Sequence, residues 1–334
     1  MRSNSSIEVF STCPPSTGLA PDRYIERLVE VSRWSEEAGC RGMLVFSDNS
    51  VPDPWALSHI IIQHTKTLCP LIAIQPVYMH PYWVAKQITT FAYLYGRRLY
   101  LNMVAGGFKN DLEALGDTTP HDKRYVRLIE YTTIVMRLLA SSAPLTYDGE
   151  FHRVSKLKLT PPLPDAFLPG VFVSGSSDAG VGAAKALRAT AIKYPKPAGE
   201  EESPPEDLAG LGIRVGIIAR PKEAEAWEVA RARFPDDRKG QLTRQLAEKV
   251  SDSVWHKELS EVEKTAKTSP YWLAPFQNYQ AMCPYLVGTY AQVAEELERY
   301  FAAGYRTVIL DIPPNPEELS HTFTAFQAAM QPVR

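Results

Sequence analysis

The segment from Pro169 to Ser177 places hydroxyl groups and a glycine directly after a short apolar run. Residues 171–173 predict a buried strand, and the small residues from Ala179 to Leu187 predict a helix. The turn between them consists of Ser174, Gly175, Ser176 and Ser177. A turn that leads into a helix N-terminus directs backbone N–H groups and the helix dipole at an anion. The turn therefore indicates a bound phosphate, and so a phosphorylated cofactor, with an ordinary helix cap as the alternative.

Polar residues follow other predicted strands in the same way. Asn102 lies in a strand that runs into Ala105 and Gly106, where the small residues leave room for a flat group. Residues 120–125 enter a predicted helix, where Arg124 and Tyr125 could reach a phosphate, whereas His121 could simply cap the helix. The side chains that could orient a substrate are Asp48, Asn49, Tyr78, His80, Lys193, Tyr194 and Arg214.

Several of these candidates have a structural alternative. His80 stands before Pro81 and could serve only to start a helix. Lys193, at the end of a strand, could simply reach solvent at the rim. An arginine inside a predicted barrel strand needs an anion, because an unpaired buried charge is costly. Arg214 therefore predicts either an ion pair with Asp311 or an anionic flavin or substrate.

The elements that must position these residues alternate along the chain. The predicted strands are Ile7–Ser11, Gly42–Phe46, Leu71–Gln75, Leu99–Val104, Val171–Ser174, Thr190–Tyr194, Arg214–Arg220 and Thr307–Asp311. Helical patterns stand between the strands, for example Pro21–Ala38, Pro54–His64, Pro81–Leu94 and Lys123–Leu139. Near-continuous apolar strands separated by helices are typical of a parallel sheet covered on both faces. Eight such units predict an α/β fold of the (β/α)8 TIM-barrel type, whose sites lie at the strand C-termini. A doubly wound sheet is the alternative, but no G-x-G-x-x-G follows the first strand.

We expect a single barrel domain over residues 1–334, interrupted by insertions at about 144–164, 196–211 and 221–284. Asp148-Gly149 in the first insertion predicts a hairpin. The second is rich in Pro, Glu and Gly and predicts a loop; the third is mostly helical and ends in an aromatic cluster. That cluster, which either packs the insertion onto the barrel or caps a pocket for an apolar substrate, comprises Tyr271, Trp272, Phe276, Tyr279 and Tyr285.

Composition excludes several classes of protein. Lys+Arg 36 against Asp+Glu 38 gives no basic surface for nucleic acid or for an acidic membrane. Cys13, Cys40, Cys69 and Cys283 are widely spaced and form no CxxC pair, which favours reduced thiols and argues against a zinc site. No apolar run approaches the ~20 residues of a membrane helix. These features together predict a cytoplasmic protein without a metal site.

The order of the motifs resembles the bacterial luciferase-like flavin monooxygenases, in particular the branch of the FMNH2-dependent alkanesulfonate monooxygenases. The resemblance covers almost the whole chain and is carried by residues 101–107, 121–125, 172–178, 285–294 (as the start of a late helix) and 304–310. It implies FMN, supplied in reduced form by a separate NAD(P)H-dependent flavin reductase, and activation of O2 as a flavin C4a-peroxide. It also implies that Asn102 and residues 105–107 flank the isoalloxazine, and that His121, Tyr125 and residues 174–177 hold the ribityl phosphate.

The chain departs from that branch where the sulfonate would bind. The branch's cysteine after strand two falls on Val51, its strand-seven histidine on Gly216, its late tyrosine on Pro313 and its loop arginine near Asn278; only Arg214 remains. A sulfonate needs several cationic donors, so desulfonation becomes an alternative rather than the expectation.

We expect a two-component FMNH2-dependent monooxygenase that N- or C-oxygenates a small specialised or amino-acid-derived metabolite, free or tethered to a carrier. The expected catalytic residues are His80, Arg214, Asn49, Tyr78 and Lys193. A homo-oligomer, either dimer or tetramer, is expected. The sequence is also compatible with a deazaflavin (F420)-dependent hydride transferase and with a non-catalytic flavin-binding protein of the same fold.

Overall fold

The computed structural model describes residues 7–106, 109–200, 207–235 and 270–330, and within them a closed parallel barrel. The strands are β1 (Glu8–Thr12), β2 (Gly42–Val45), β3 (Cys69–Ile74), β4 (Tyr100–Val104), β5 (Leu145–Asp148), β6 (Arg153–Leu157), β7 (Gly170–Ser174), β8 (Thr190–Lys193), β9 (Gly210–Arg220), β10 (Tyr271–Trp272), β11 (Tyr285–Thr289) and β12 (Thr307–Leu310). The barrel order is β1-β2-β3-β4-β7-β8-β9-β12, and β12 pairs with β1 to close it. The predicted (β/α)8 architecture is confirmed.

Helices cover the outside of the barrel. They are α1 (Pro21–Glu37), α2 (Pro54–His64), α3 (Pro81–Tyr95), α4 (Lys109–Ala114), α5 (His121–Ala140), α6 (Asp178–Leu187), α7 (Glu223–Arg233), α8 (Ala274–Gln277), α9 (Tyr290–Ala302) and α10 (Pro316–Met330). Four of them start with proline, whose missing N–H costs nothing in the first turn. The Asp53 carboxylate caps α2 by accepting from the N–H groups of Trp55 and Ala56, both at 3.0 Å. These local signals explain why the helix starts were predictable.

Side chains alternate across each barrel strand and form two apolar layers. One set fills the barrel interior and comprises Phe10, Leu44, Cys69, Leu71, Tyr100, Phe172, Ile192 and Ile309. The other set packs between the barrel and the helices. In this interior layer, β9 contributes Gly212. A side chain at that position would overlap Ile192. The barrel is therefore a filled core that opens only towards its two ends.

The C-terminal third of the chain differs from the prediction in two respects. β9 begins at Gly210 rather than Arg214, and it is long enough for its last five residues, 216–220, to pair with a further strand, β11. The segment 285–294, predicted as the start of a late helix, contains β11 first, and α9 begins only after the Thr289 cap. A Cβ at Gly216 would overlap the Tyr285 ring, so the glycine permits this pairing.

The predicted insertions take several forms. The first contains the expected hairpin, β5–β6, whose strands pair antiparallel. The second is irregular where described, with a single 3-10 turn at 198–200, and it ends where β9 begins rather than at 211. The third contains α7, β10 and α8, while residues 236–269, predicted to be mostly helical, lie outside the described residues. Of the aromatic cluster, Tyr271, Phe276 and Tyr285 are buried, whereas Tyr279 is 36% exposed.

Candidate active site

The C-terminal ends of the barrel strands gather the polar residues. Because side chains alternate along a strand, the residues two positions beyond the interior layer also face the barrel axis. They include Asn102 on β4, Ser174 on β7, Tyr194 after β8, Arg214 on β9 and Asp311 after β12. The strand C-termini are where (β/α)8 barrels carry their sites.

The turn between β7 and α6 is built around the N-terminus of that helix. Ser177 is the N-cap, and its Oγ accepts from the Gly180 N–H at 3.2 Å. The hydroxyl of Tyr125, from α5, lies against Gly175, where a Cβ would overlap it. Tyr125 also hydrogen-bonds with Ser177. The first turn of α5 and the turn 174–177 therefore pack side by side and form one continuous surface.

A phosphate fits this surface on two grounds. The Ser176 Oγ is buried and has no hydrogen-bond partner, so a donor is held ready beside a helix N-terminus. The glycine at 175 allows the Tyr125 hydroxyl, a second possible phosphate donor, to approach the turn closely, where a side chain would overlap it. Buried polar groups without partners are rare in native proteins, and each one calls for an explanation such as a bound ligand.

The neighbouring residues from α5 and β4 complete this region. The Ser174 hydroxyl donates to Asn102 Oδ1 at 2.7 Å, which orients the amide of that buried asparagine. The Arg124 guanidinium donates to the Gly106 carbonyl at 2.8 Å and so ties the end of β4 to α5. Gly106 has φ +99°, a conformation that favours glycine. The His121 ring packs edge-on against Tyr125, with ring centroids 5.3 Å apart.

The structure thus brings the predicted cofactor residues together. Those that lie along this surface are Asn102, Ala105, Gly106, His121, Tyr125, Ser174, Gly175, Ser176 and Ser177. Residue 107, also expected beside the flavin, lies outside the described residues.

A second feature, the β2–β3 cavity, has a volume of about 280 Å³. Its lining includes Asp48, Asn49, Trp55, Gln75, Tyr78 and Met79. The Tyr78 hydroxyl donates to Asn49 Oδ1 at 2.8 Å, and Asn49 Nδ2 donates to the Asp111 carbonyl at 3.1 Å. Burial, and then the carboxylates of Asp111 and Asp48, raise the pKa of Tyr78. The phenol is therefore a neutral donor at physiological pH.

Arg214 occupies the β9 side of the barrel mouth and does not form the ion pair with Asp311 that was one of its two alternatives. Asp311 instead accepts from the Tyr285 hydroxyl at 2.5 Å, and no salt bridge joins it to Arg214 in the described part of the chain. One guanidinium nitrogen donates to the Tyr194 hydroxyl at 3.4 Å, while Nε is buried without a partner. The pKa of Arg214 is raised: burial alone lowers it, but the neighbouring Tyr194, Cys283 and Asp311 outweigh that effect. The guanidinium is a fixed cation.

The other two predicted catalytic residues lie apart from the mouth. His80 is exposed and caps α3, with Nδ1 accepting from the Tyr82 N–H at 3.1 Å. Side chains alternate along β8, so Lys193 faces outwards like Ala191, whereas Tyr194 faces the barrel axis like Ile192. The structure thus groups Asn49 with Tyr78 and leaves His80 and Lys193 at the rim.

Two cavity residues were not singled out from the sequence. Trp55 lies in the β2–β3 cavity with its indole N–H buried and unpartnered, and Gln75 is buried beside it. Because the Asp-Pro-Trp segment is typical of a helix start, the sequence pattern does not indicate that the indole also lines a cavity. Gln75 directly follows β3, and its position at a strand C-terminus is the signal that could have found it.

The thiols and possible metal ligands offer no other chemistry in the described ranges. All four cysteines are buried and unpaired, and burial raises the pKa of Cys13 to about 12, so that thiol stays protonated. Among the described residues no group of three His, Cys, Asp or Glu side chains could hold a metal ion. None of the helices described here combines the length and apolarity required to cross a membrane.

Comparisons with known proteins agree with this architecture. The family model described as luciferase-like monooxygenase matches residues 7–307. A curated relative from Niallia circulans, 4-(gamma-L-glutamylamino)butanoyl-[BtrI acyl-carrier protein] monooxygenase BtrO, is 34% identical over 319 residues, which are 93% of this chain and 93% of the relative.

Solved structures share the fold at low sequence identity. The EDTA monooxygenase of Chelativorans sp. BNC1 superposes with a TM-score of 0.72 and 16% identity, over 98% of this chain and 95% of that one. The oxygenating constituent of the 3,6-diketocamphane monooxygenase of Pseudomonas putida, solved in complex with FMN, gives a TM-score of 0.66 and 13% identity, over 97% and 96% of the two chains.

Proposed function

Because this chain belongs to the luciferase-like monooxygenases, we propose that it is the oxygenase component of a two-component system that uses reduced FMN and O2. A separate NAD(P)H-dependent flavin reductase supplies the reduced FMN. The substrate is an amino-acid-derived acyl group tethered to a carrier protein, and the enzyme acts as a homo-oligomer. The observation that carries the cofactor assignment is the buried, unpartnered Ser176 hydroxyl beside the N-terminus of α6.

Two sets of residues would hold the flavin. The hydroxyls of Ser176 and Tyr125 and the first N–H groups of α6 bind the phosphate, which also gains from the helix dipole. Asn102, oriented by Ser174, presents its amide to the isoalloxazine at the end of β4. Reduced FMN supplies the reaction with O2, and the protein contributes orientation and electrostatics.

The barrel mouth would orient the substrate and exclude water. The β2–β3 cavity and its Tyr78–Asn49 hydrogen bond provide neutral donors and acceptors on one side of the mouth. The Arg214 guanidinium provides a fixed positive charge on the other, with no carboxylate within ion-pair distance in the described residues. It would bind an anionic group of the flavin or of the substrate, since a buried cation without an anion is costly.

The choice of substrate rests on the curated relative. A protein 34% identical over nearly its whole length oxygenates a glutamylamino-butanoyl group on an acyl-carrier protein. A substrate of this class also accounts for the loss of the sulfonate-binding residues at Val51, Gly216 and Pro313. The substrate enters as a thioester on its carrier, and the oxygen atom is transferred to the acyl group.

The experiment supplies reduced FMN and isotope-labelled O2 to the purified enzyme. The test thioester is 4-(γ-L-glutamylamino)butanoyl pantetheine, a soluble analogue of a carrier-bound acyl group. We expect mass spectrometry to find one labelled oxygen atom in the acyl product, formed only when FMN is reduced. The same reaction with reduced deazaflavin should give no product.

Two results would contradict the proposal. Consumption of reduced FMN and O2 without a labelled product would exclude this class of substrate. Tight binding of reduced deazaflavin with hydride transfer to a substrate, and no use of O2, would instead establish a hydride transferase.

A further inference from the structure

Asp48, at the end of β2, carries a negative charge that nothing nearby neutralises. Its Oδ1 accepts from the backbone N–H and the hydroxyl of Ser50, both at 2.6 Å. No Lys, Arg or His lies within ion-pair distance of its carboxylate in the part of the chain that the structure describes. The residue is half-buried and lines the β2–β3 cavity. Its second oxygen is therefore available to a ligand.

One phenol ring, that of Tyr78, lines the cavity with this carboxylate, and a second, that of Tyr279, lies near enough for its pKa to respond to the charge. Tyr78 lines the same cavity, and its hydroxyl is fixed by Asn49. Tyr279 comes from the third insertion, which follows β9 and not β2. Burial raises the pKa of Tyr279, and the Asp48 carboxylate raises it further. A carboxylate that shares a cavity with a phenol ring is an environment suited to an organic cation, which gains an ion pair and a contact with the ring face.

The backbone of Tyr279 adopts a conformation that is strained for a residue with a side chain. The end of α8 has the two hydrogen bonds of a Schellman motif, Gln280 N–H to the Pro275 carbonyl at 2.9 Å and Tyr279 N–H to the Phe276 carbonyl at 3.1 Å. Tyr279 occupies the C′ position of this motif with φ +56°. Glycine is the usual residue there, because a side chain is strained at positive φ. Such strain clusters at ligand-binding positions, where the side chain is needed.

We propose that Asp48, together with the rings of Tyr78 and Tyr279, binds a primary ammonium group of the substrate. This deepens the proposed function and rests on it for the nature of the substrate, an amino-acid-derived acyl group. It adds that the amine stays free and charged during the reaction.

Binding of two matched ligands in the absence of reductant tests this inference. The first is the test thioester, and the second is its analogue with a hydroxyl in place of the α-amino group, which has a similar size and keeps the α-carboxylate but lacks the positive charge. Calorimetry on the FMN-loaded enzyme is run about one pH unit below the pKa of an α-amino group, so that the amine is charged. We expect the amine to bind about tenfold more tightly, as for a charge-assisted contact.

Substitution then assigns the preference to one carboxylate. Asp48→Asn keeps an oxygen for the Ser50 contacts, and we expect it to reduce the preference to less than about twofold. Asp111→Asn is the matched control, because that carboxylate also acts on Tyr78 but does not line the cavity. It should retain the full preference.

Each remaining outcome counts against the inference. Equal binding of the two ligands by the unsubstituted enzyme, no measurable binding of the amine, or an undiminished preference in Asp48→Asn would overturn it. Because the assay needs no turnover, it is independent of the proposed reaction. Preferential binding without a labelled oxygen product would refute the function and leave the ammonium site standing.

Discussion

The two ends of the barrel treat their polar groups differently. At the N-terminal end of the strands, Glu36 accepts backbone N–H groups from Lys66, Thr67 and Leu68 at 2.5–3.0 Å. Arg97 there donates to the carbonyls of Thr65 and Leu68, at 3.1 and 2.7 Å. At the C-terminal end, Ser176 Oγ and Arg214 Nε are buried without partners. Glu36 and Arg97 at one end have their partners within the protein, whereas Ser176 Oγ and Arg214 Nε at the other end are left available.

This difference separates residues that stabilise the protein from residues that bind ligands. A group whose partners are all within the protein contributes to the free energy of unfolding. A buried group without a partner lowers stability and is retained because a ligand completes it. Substitutions at the N-terminal end should therefore change stability, and those at the C-terminal end should change binding and turnover.

The largest expected effect is at Arg214. Arg214→Met should lower kcat/KM by about 10²-fold, the loss of one charge-assisted contact made in a desolvated site. The free energy of unfolding should change by less than about 1 kcal/mol, because the apolar chain remains and an unpaired charge is removed. Steady-state kinetics and urea denaturation measure the two quantities.

Arg97→Met provides the matched variant from the opposite end of the barrel. It removes hydrogen bonds to two carbonyls and should cost about 1–3 kcal/mol of stability with kcat/KM unchanged. If Arg214→Met unfolds the protein while Arg97→Met abolishes turnover, the roles of the two ends are reversed and the division between them is wrong.

The next effect is the pH dependence of stability at Glu36. Burial raises the pKa of this carboxyl, but the hydrogen bonds from residues 66–68 outweigh burial and the pKa is lowered. A carboxyl with a depressed pKa stabilises the protein above its unfolded value of about 4.3 and loses that contribution as the pH falls through the folded value. Glu36→Gln should cost ~1–2 kcal/mol at neutral pH.

The cost of Glu36→Gln should begin to shrink below about pH 4 and should vanish once the pH is below the lowered pKa of the folded carboxyl, where both proteins carry an uncharged side chain. Thermal denaturation across the pH range measures it. A difference between the two proteins that does not vary with pH would show that the ionised carboxylate contributes nothing.

A smaller effect of opposite sign is expected at Tyr279. Tyr279→Gly should raise the free energy of unfolding by roughly 1 kcal/mol, because glycine adopts positive φ without the strain of a side chain. It should also weaken binding of the amine ligand. A variant that is less stable than the unsubstituted protein would show that the ring contributes to packing rather than to binding.

The fold was largely predictable because its signals are local. Apolar runs marked the eight barrel strands, and Asp53 with Pro54 marked the start of α2. β11 was missed because its pairing partner, Gly216 on β9, lies far along the chain, and only tertiary contact selects a strand over a helix at 285–289.

The site was predictable in its residue types but not in its pairings. An ion pair with Asp311 was one of two alternatives for Arg214, yet Asp311 hydrogen-bonds to Tyr285, a residue expected at the start of a helix. Because β11 was not anticipated, the Tyr285 hydroxyl could not be placed beside Asp311. The position of Tyr279 near Asp48 likewise depends on a backbone conformation that sequence patterns assign to glycine.

The most direct test of the central claim compares FMN with riboflavin, which lacks the phosphate, in the unsubstituted protein and in Ser176→Ala. Equilibrium binding is measured by flavin fluorescence without substrate or reductase. We expect FMN to bind far more tightly than riboflavin, and Ser176→Ala to weaken FMN alone by about 1–2 kcal/mol, the value of a hydrogen bond to a charged group. Equal affinity for the two flavins, or an unchanged affinity for FMN in Ser176→Ala, would contradict the assignment of the turn at 174–177 to a phosphate.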